Sequence, residues 1–168
     1  MHFEKITLEQ WIYDFKFCCQ VNNWTYKEED AIQYYQNIRI PTTATIGSAG
    51  HDFYNPLFDI AIEQKPILIP SGIRWVTNSF EGPVVLLAVP RSSLGFKYQM
   101  RLVNTIGVID ADYYNSDNEG HIMFKVTAET PFVLSEQERF VQGIVTHYFV
   151  FGEQSDNQRT GGFGSTGK

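Results

Sequence analysis

The chain has 168 residues, of which 43% are hydrophobic and 19% charged, and its formal net charge is −6. Those values suit one domain with a real core and argue against general binding to a nucleic acid backbone, which calls for surplus positive charge. No apolar run approaches the roughly 20 residues that cross a bilayer, the start MHFEKITLEQW lacks the apolar centre of a signal peptide, and the adjacent Cys18 and Cys19 form no disulfide framework and fit a reducing cytosol.

The first part of the chain reads as helical. Leu8, Trp11, Ile12, Phe15, Cys18 and Cys19 recur at helical spacing, and Thr7 with Gln10 has the spacing of a capping box. The sequence Asn22-Asn23-Trp24 interrupts the pattern; Thr25 and Glu28 repeat the cap spacing before a second short helix, and Pro41 ends any helical reading. From residue 37 the texture changes to short β-branched and aromatic runs bounded by Gly or Pro: NIRIP, ILIPSG, IRWVTN, EGPVVLLAVP, HIMFKVTA, TPFVL and RFVQGIVTHYFVF. Many short strands at this spacing predict an all-β sandwich or barrel. After Gly152 the chain is polar and Gly-rich, which predicts a mobile tail. The expected organisation is an N-terminal helical extension over 1–36, a β body over 37–152 and a flexible closing segment over 153–168.

Five clusters carry chemistry. GSAGHDF (47–53) supplies Asp52 in a Gly-rich bend, where a carboxylate could steady the water shell of a hard cation; His51 reads as a solvent-facing strand residue, and the Cys and His spacing of a zinc site is absent. PRSSLG (90–95) places Arg91, Ser92 and Ser93 at a strand exit, a set of donors suited to phosphate or to an ordinary polar turn. NTIGVIDADYYN (104–115) puts Asp110 and Asp112 on one face of a strand with Tyr113 next, so a carboxylate could orient water beside an aromatic floor, or Tyr113 could pack in the core. ERFVQG (138–143) sets Arg139 and Gln142 around an apolar pair, most simply as strand-start residues. RTGGFGSTGK (159–168) combines Arg159 and Phe163 with glycines and hydroxyls, which predicts a lid that orders on a bound phosphate ester.

The five clusters, in this order, resemble the motifs of the trimeric dUTP diphosphatase (dUTPase) family over about residues 38–168. The resemblance implies a homotrimer of jelly-roll-like β-barrels, with each active site shared between subunits and the tail crossing to a neighbour. It implies Mg2+-dependent hydrolysis of dUTP to dUMP and pyrophosphate, which limits uracil incorporation in DNA, in the cytoplasm of the cell or of a virus-infected host. By position, Asp110 would be the general base and Tyr113 would pack beneath the deoxyribose. Asn104, the backbone of Gly107, Val108 and Ile109, and Met123 would read the uracil. Arg91, Ser92, Ser93 and Gln142 would grip the phosphates, and Asp52 would act on the metal through water, Mg2+ being held mainly by the substrate. Arg159, Gly164, Ser165 and Thr166 would close on the γ-phosphate while Phe163 stacks over the base.

Three departures from the family pattern stand out: Tyr114 and Asn115 followed by a longer turn after Tyr113, Ser93 where glycine is frequent, and Gln137 where glycine is common. Two alternatives compete. A dCTP deaminase of the same superfamily needs a glutamate on the strand after the third motif, and GHIMFKV has none. A regulatory protein-binding module on the same fold would use the N-terminal helices to hold a partner; otherwise the apolar stripe of those helices predicts packing on the body.

Overall fold

The computed structural model describes residues 1–77 and 82–152. The chain opens with a strand, β1 (His2–Lys5), where a helical start was expected, and continues into α1 (Leu8–Asn22) and α2 (Glu28–Asn37). Thr7 caps α1 by accepting the Gln10 N–H at 3.2 Å. The helix ends at Asn22, within the Asn22-Asn23-Trp24 interruption that the sequence predicts. Asn23 closes it in the left-handed region at φ 59°, where asparagine is tolerated. Thr25 does not cap α2. Its N-cap is Lys27, and Glu28, Glu29 and Asp30 supply negative charge to the first turn instead.

The body is mostly β. Its strands are β2 (Thr42–Thr43), β3 (Gly50–Tyr54), β4 (Ile60–Ile62), β5 (Ile67–Val76), β6 (Val84–Pro90), β7 (Arg101–Leu102), β8 (Gly107–Asp110), β9 (Ile122–Thr127), β10 (Phe132–Leu134) and β11 (Arg139–His147). A short helix, α3 (Ser92–Tyr98), follows β6. Among the described residues the strands form a four-stranded sheet in the order β1-β5-β9-β7, a five-stranded sheet in the order β2-β3-β11-β6-β8, and the pair β10-β4. NIRIP is not a strand; Ile38 caps α2 and is buried. ILIPSG and IRWVTN, which read as two runs, join as the single strand β5, with a register shift between Pro70 and Ile73 where Gly72 takes φ 71°.

The two larger sheets meet through edge-to-face rings. Phe124 of β9 lies 5.1 Å from Phe53 of β3 and 5.5 Å from Phe140 of β11, centroid to centroid. Such contacts add to the area they bury. Trp11, Phe15, Cys19 and Ala31 are buried in the same core, so residues 1–36 pack on the body. Asn22 extends this docking to the backbone: its amide donates to the Leu68 carbonyl at 2.8 Å and accepts the Leu68 N–H at 3.0 Å, as a neighbouring strand would.

Candidate active site

The order of the five-stranded sheet brings the motif-bearing segments side by side. β11 lies between β3 and β6, and β8 flanks β6. Gln142 is therefore opposite Asp52 on one side and Val89 on the other. Gly50 makes room for this: a Cβ there would come within 2.2 Å of the Gln142 Cγ.

At this end of the sheet Asp52 is 2% exposed and faces two guanidinium groups. Arg139 donates to its Oδ2 at 3.0 Å, and Arg91 Nε lies 3.2 Å from Oδ1 as an ion pair outside hydrogen-bond alignment. The backbone seats Arg91, whose N–H donates to the Phe140 carbonyl at 3.0 Å. A buried carboxylate needs such partners, and here it holds two cations whose outer N–H groups are free to meet an anion. Arg139, which sequence reasoning weighed as structural, is a full member of the cluster. Ser92 and Ser93 stand exposed in the first turn of α3. His51 is not solvent-facing; its ring lies half-buried, 5.5 Å from Phe3.

A second feature lies on the neighbouring strand β8, whose Gly107, Val108 and Ile109 pair with Ala88, Leu87 and Leu86 of β6. A cavity of about 380 Å³ is lined by Leu102, Val103, Asn104, Gly107, Val108, Ile109, Tyr113, Ile122, Met123, Phe124 and Lys125. That volume is in the range of small-molecule sites. It opens between the hairpin joining β7 to β8 and the strand β9. Among the described residues β8 pairs with β6 on one side only, so its other backbone edge can serve a flat ligand. Gly107 permits close packing of this edge, since a Cβ there would lie 3.0 Å from Ala88 Cβ. The apolar and cationic liners Leu102, Val103, Ile122, Phe124 and Lys125 were missed in the sequence. The β-alternation of HIMFKV around Met123 was the signal for Phe124 and Lys125.

Asp110 ends β8 and is exposed, next in the chain to the cavity liner Ile109. Asp112 does not share its strand face: the strand stops at Asp110, and a turn leads into a 3-10 helix over Tyr113–Asn115. Tyr113 is both core and cavity wall. Its hydroxyl donates to the His121 carbonyl at 3.1 Å and accepts from Asn118 Nδ2 at 3.1 Å. The long turn after it is well tied, with the Ser116 N–H on the Tyr113 carbonyl at 3.0 Å and the His121 N–H on the Asn118 carbonyl at 3.0 Å. Gly120, at φ 72°, folds the turn back so closely that a Cβ would sit 2.4 Å from Tyr114 Cα.

One chain does not bring Asp110 to the arginines. Asp110 is paired with Val85, near the start of β6, whereas Arg91 follows its last residue, Pro90. At the rise of a strand the two are separated by roughly 20 Å. The residues Arg159, Phe163, Gly164, Ser165 and Thr166 lie outside the described residues.

Fold and cavity together define a mostly β protein with a nucleoside-sized pocket on a hairpin and a carboxylate-braced pair of arginines outside the pocket's lining. A sequence model of the dUTPase family matches residues 36–167. The deoxyuridine 5'-triphosphate nucleotidohydrolase of Lactococcus lactis subsp. lactis (strain IL1403) is 36% identical over 146 residues, which cover 82% of this chain and 95% of that protein. The enzyme of the same name from Paraburkholderia phytofirmans is 34% identical over 141 residues, 77% of this chain and 90% of that one. A dUTPase structure from Streptococcus mutans matches with a TM-score of 0.63 at 27% identity, covering 91% of this chain and 100% of that chain. That share is larger than residues 37–168 alone can supply, so part of the N-terminal extension is common to both. The dUTPase of phage phi11 of S. aureus has the same fold, with a TM-score of 0.56 at 15% identity over 73% of this chain and 92% of that chain. The chain belongs to the dUTPase family.

Proposed function

We propose that the chain hydrolyses dUTP to dUMP and pyrophosphate, with the deoxyuridine seated in the cavity on the β7–β8 hairpin. The observation that carries this reading is the cavity's lining. Asn104, Gly107, Val108, Ile109, Tyr113 and Met123, each tied to uracil or deoxyribose by the family resemblance, all line one space. In this reading the outer backbone edge of β8 at Gly107, Val108 and Ile109 meets the polar edge of the base. A base that left those groups unpaired would be rejected strongly, and the Tyr113 ring underlies the sugar. The exposed Asp110 at the mouth accepts a proton from the attacking water as it adds to the α-phosphorus.

The phosphates fall to Arg91, Ser92, Ser93 and Gln142, with Asp52 holding Arg91 and Arg139 in place. Both Asp52 oxygens face arginines, so in this arrangement its part is to orient cations rather than to reach a metal's waters. Among the described residues no group of three His, Cys, Asp or Glu side chains could cage a metal. That suits Mg2+ carried mainly by substrate oxygens, since the ion keeps several waters and takes few protein ligands. When bound it would neutralise phosphate charge.

The separation along β6 argues that the arginines and Asp110 serving one nucleotide come from different copies of the chain. A homotrimer of jelly-roll-like barrels with shared sites meets that need. Val103, Ile106 and Val108 are exposed around the cavity, an apolar rim for the tail to cover with Phe163 on the base and Arg159, Gly164, Ser165 and Thr166 on the γ-phosphate. The division into an extension (1–36), a body (37–152) and a closing tail (153–168), and action in the cytoplasm on the nucleotide pool, belong to the same proposal. Pyrophosphate release from dUTP, dCTP, dTTP and UTP with Mg2+ tests it. Strong preference for dUTP is expected; comparable rates on dCTP, or ammonia release from dCTP, would sink it.

A further inference from the structure

Helix α1 presents one face to the segment that walls the cavity. Thr7, Trp11, Asp14 and Cys18 follow one another at the spacing of a single helix face. Thr7 donates through its N–H and its hydroxyl to the Glu119 carboxylate, at 2.8 and 2.6 Å. Asp14 Oδ2 lies 2.6 Å from His121 Nδ1, and Cys18 Sγ lies 3.8 Å from Met123 Sδ. Three levels of the helix thus touch three successive levels of the segment 119–123.

The middle contact is the unusual one. His121 is 0% and Asp14 4% exposed, although charged and polar groups seldom sit so deep without cause. The Gly72 N–H donates to His121 Nε2 at 2.8 Å. A nitrogen that accepts cannot also carry a proton, so the ring's hydrogen is on Nδ1 and points at Asp14. Asp14 therefore fixes both the tautomer and the orientation of the ring. The other side of the ring fills the irregular part of β5, where the register shift leaves the Gly72 N–H without a ladder partner. From the same residue the His121 carbonyl receives the Tyr113 hydroxyl, and the next two residues, Ile122 and Met123, line the cavity with Tyr113.

We propose that Asp14 is a positioning residue for the nucleoside pocket: held by α1, it sets His121, and His121 sets Tyr113 and the start of β9. This rests on the reading of the cavity as the deoxyuridine site, and it assigns the N-terminal helix a part in substrate recognition. A wall placed by a buried chain of hydrogen bonds keeps the pocket in its binding shape before the nucleotide arrives, and small misplacements of such walls are costly.

The test uses the full chain and compares Asp14→Ala with Asp14→Asn, reading kcat and KM for dUTP, the dUTP-to-UTP selectivity ratio, and Tm. Asp14→Asn keeps an oxygen for the Nδ1 hydrogen, and both KM and selectivity should stay near those of the natural chain. Asp14→Ala should raise KM about tenfold and compress selectivity by a similar factor, with kcat changed far less. Glu119→Ala, at the solvent end of the same contact, covers the case in which Asp14→Ala does not fold; it should raise KM a fewfold with Tm unchanged. A folded Asp14→Ala, or in its place Glu119→Ala, with the natural KM and selectivity would overturn the proposal, as would equal damage from Asn and Ala. If the natural chain itself released no pyrophosphate from dUTP, the reading of the cavity would fall, and this inference with it.

Discussion

The cavity and the arginine cradle solve opposite problems on neighbouring strands. Between β8 and β9 the structure offers shape: an apolar space, a backbone edge that no described strand covers and a tyrosine whose hydroxyl is already spent on the His121 carbonyl. Around the end of β6 it offers charge: a buried carboxylate with two arginines arranged around it. A neutral ring is recognised by fit and by satisfied hydrogen bonds, a polyphosphate by cations held so that they cannot collapse onto one another. An acidic chain can bind an anion this way because the positive charge is gathered locally. Within one chain Asp110 and the arginines are too far apart to act on one nucleotide, which makes that separation the most informative feature of the fold.

The comparison breaks most visibly at Asp110. Replacing it with asparagine removes the proton acceptor and keeps the shape, so kcat should fall by about 10²–10⁴-fold, while a nonhydrolysable uracil nucleotide binds nearly as before. Stopped pyrophosphate release with retained binding is the expected pair of results; lost binding would mean that Asp110 belongs to recognition rather than to chemistry.

Mixing then sharpens the argument about distance. Chains carrying Asp110→Asn and chains carrying Arg91→Ala should each be nearly inactive alone. If one nucleotide draws Asp110 and Arg91 from different copies, unfolding and refolding an equal mixture should restore about a quarter of the natural activity by random assembly. No recovery in a mixture that has demonstrably exchanged subunits would show that both groups act from a single chain.

A smaller effect is expected at the cradle's brace. Asp52→Ala leaves Arg91 and Arg139 facing each other without a counter-charge. It should lower kcat/KM chiefly through KM and reduce stability by about 1–3 kcal/mol, the usual penalty for orphaning such partners. Because Asp52, Arg91 and Arg139 do not line the cavity, binding of uracil nucleosides without phosphate should not change. A matching loss of nucleoside binding would contradict the independence of the two regions.

How far these regions could be read from sequence follows from the range of the interactions involved. The strands of the body announce themselves by β-branched runs between turns, and Thr7 by its spacing to Gln10, because both signals are local. The candidate residues of the cavity were legible as a cluster since β8 and its hairpin are contiguous in the chain. Asp52 was read as a metal's neighbour because nothing local connects it to Arg139; only the register of β11 against β3 puts them together. The fusion of ILIPSG and IRWVTN into one strand was hidden by Pro70 and Gly72, residues that normally break strands. Here they mark the irregular step that His121 fills from a distant part of the chain. The strand at His2–Lys5 was likewise invisible, since four residues carry little periodicity and their partner, β5, lies about seventy positions on.

The smallest expected effect concerns that first strand, outside both regions, and serves as their control. Glu4 pairs across the sheet with Arg74, which donates to it at 2.7 Å. That hydrogen bond holds the Glu4 carboxyl below its ordinary value of 4.5. A lowered folded-state value means that the pair stabilises the fold above the unfolded value, and that this share is lost as pH falls through the folded one. Since both side chains are partly exposed, the share is under about 1 kcal/mol. Glu4→Gln should therefore lower Tm slightly at pH 7, and the difference should shrink as pH falls below the ordinary carboxylate value, with dUTP hydrolysis unaffected at neutral pH. A Tm difference that persisted in acid would assign the loss to packing rather than to the ion pair. A change in KM would mean that β1, like α1, reaches the pocket through β5.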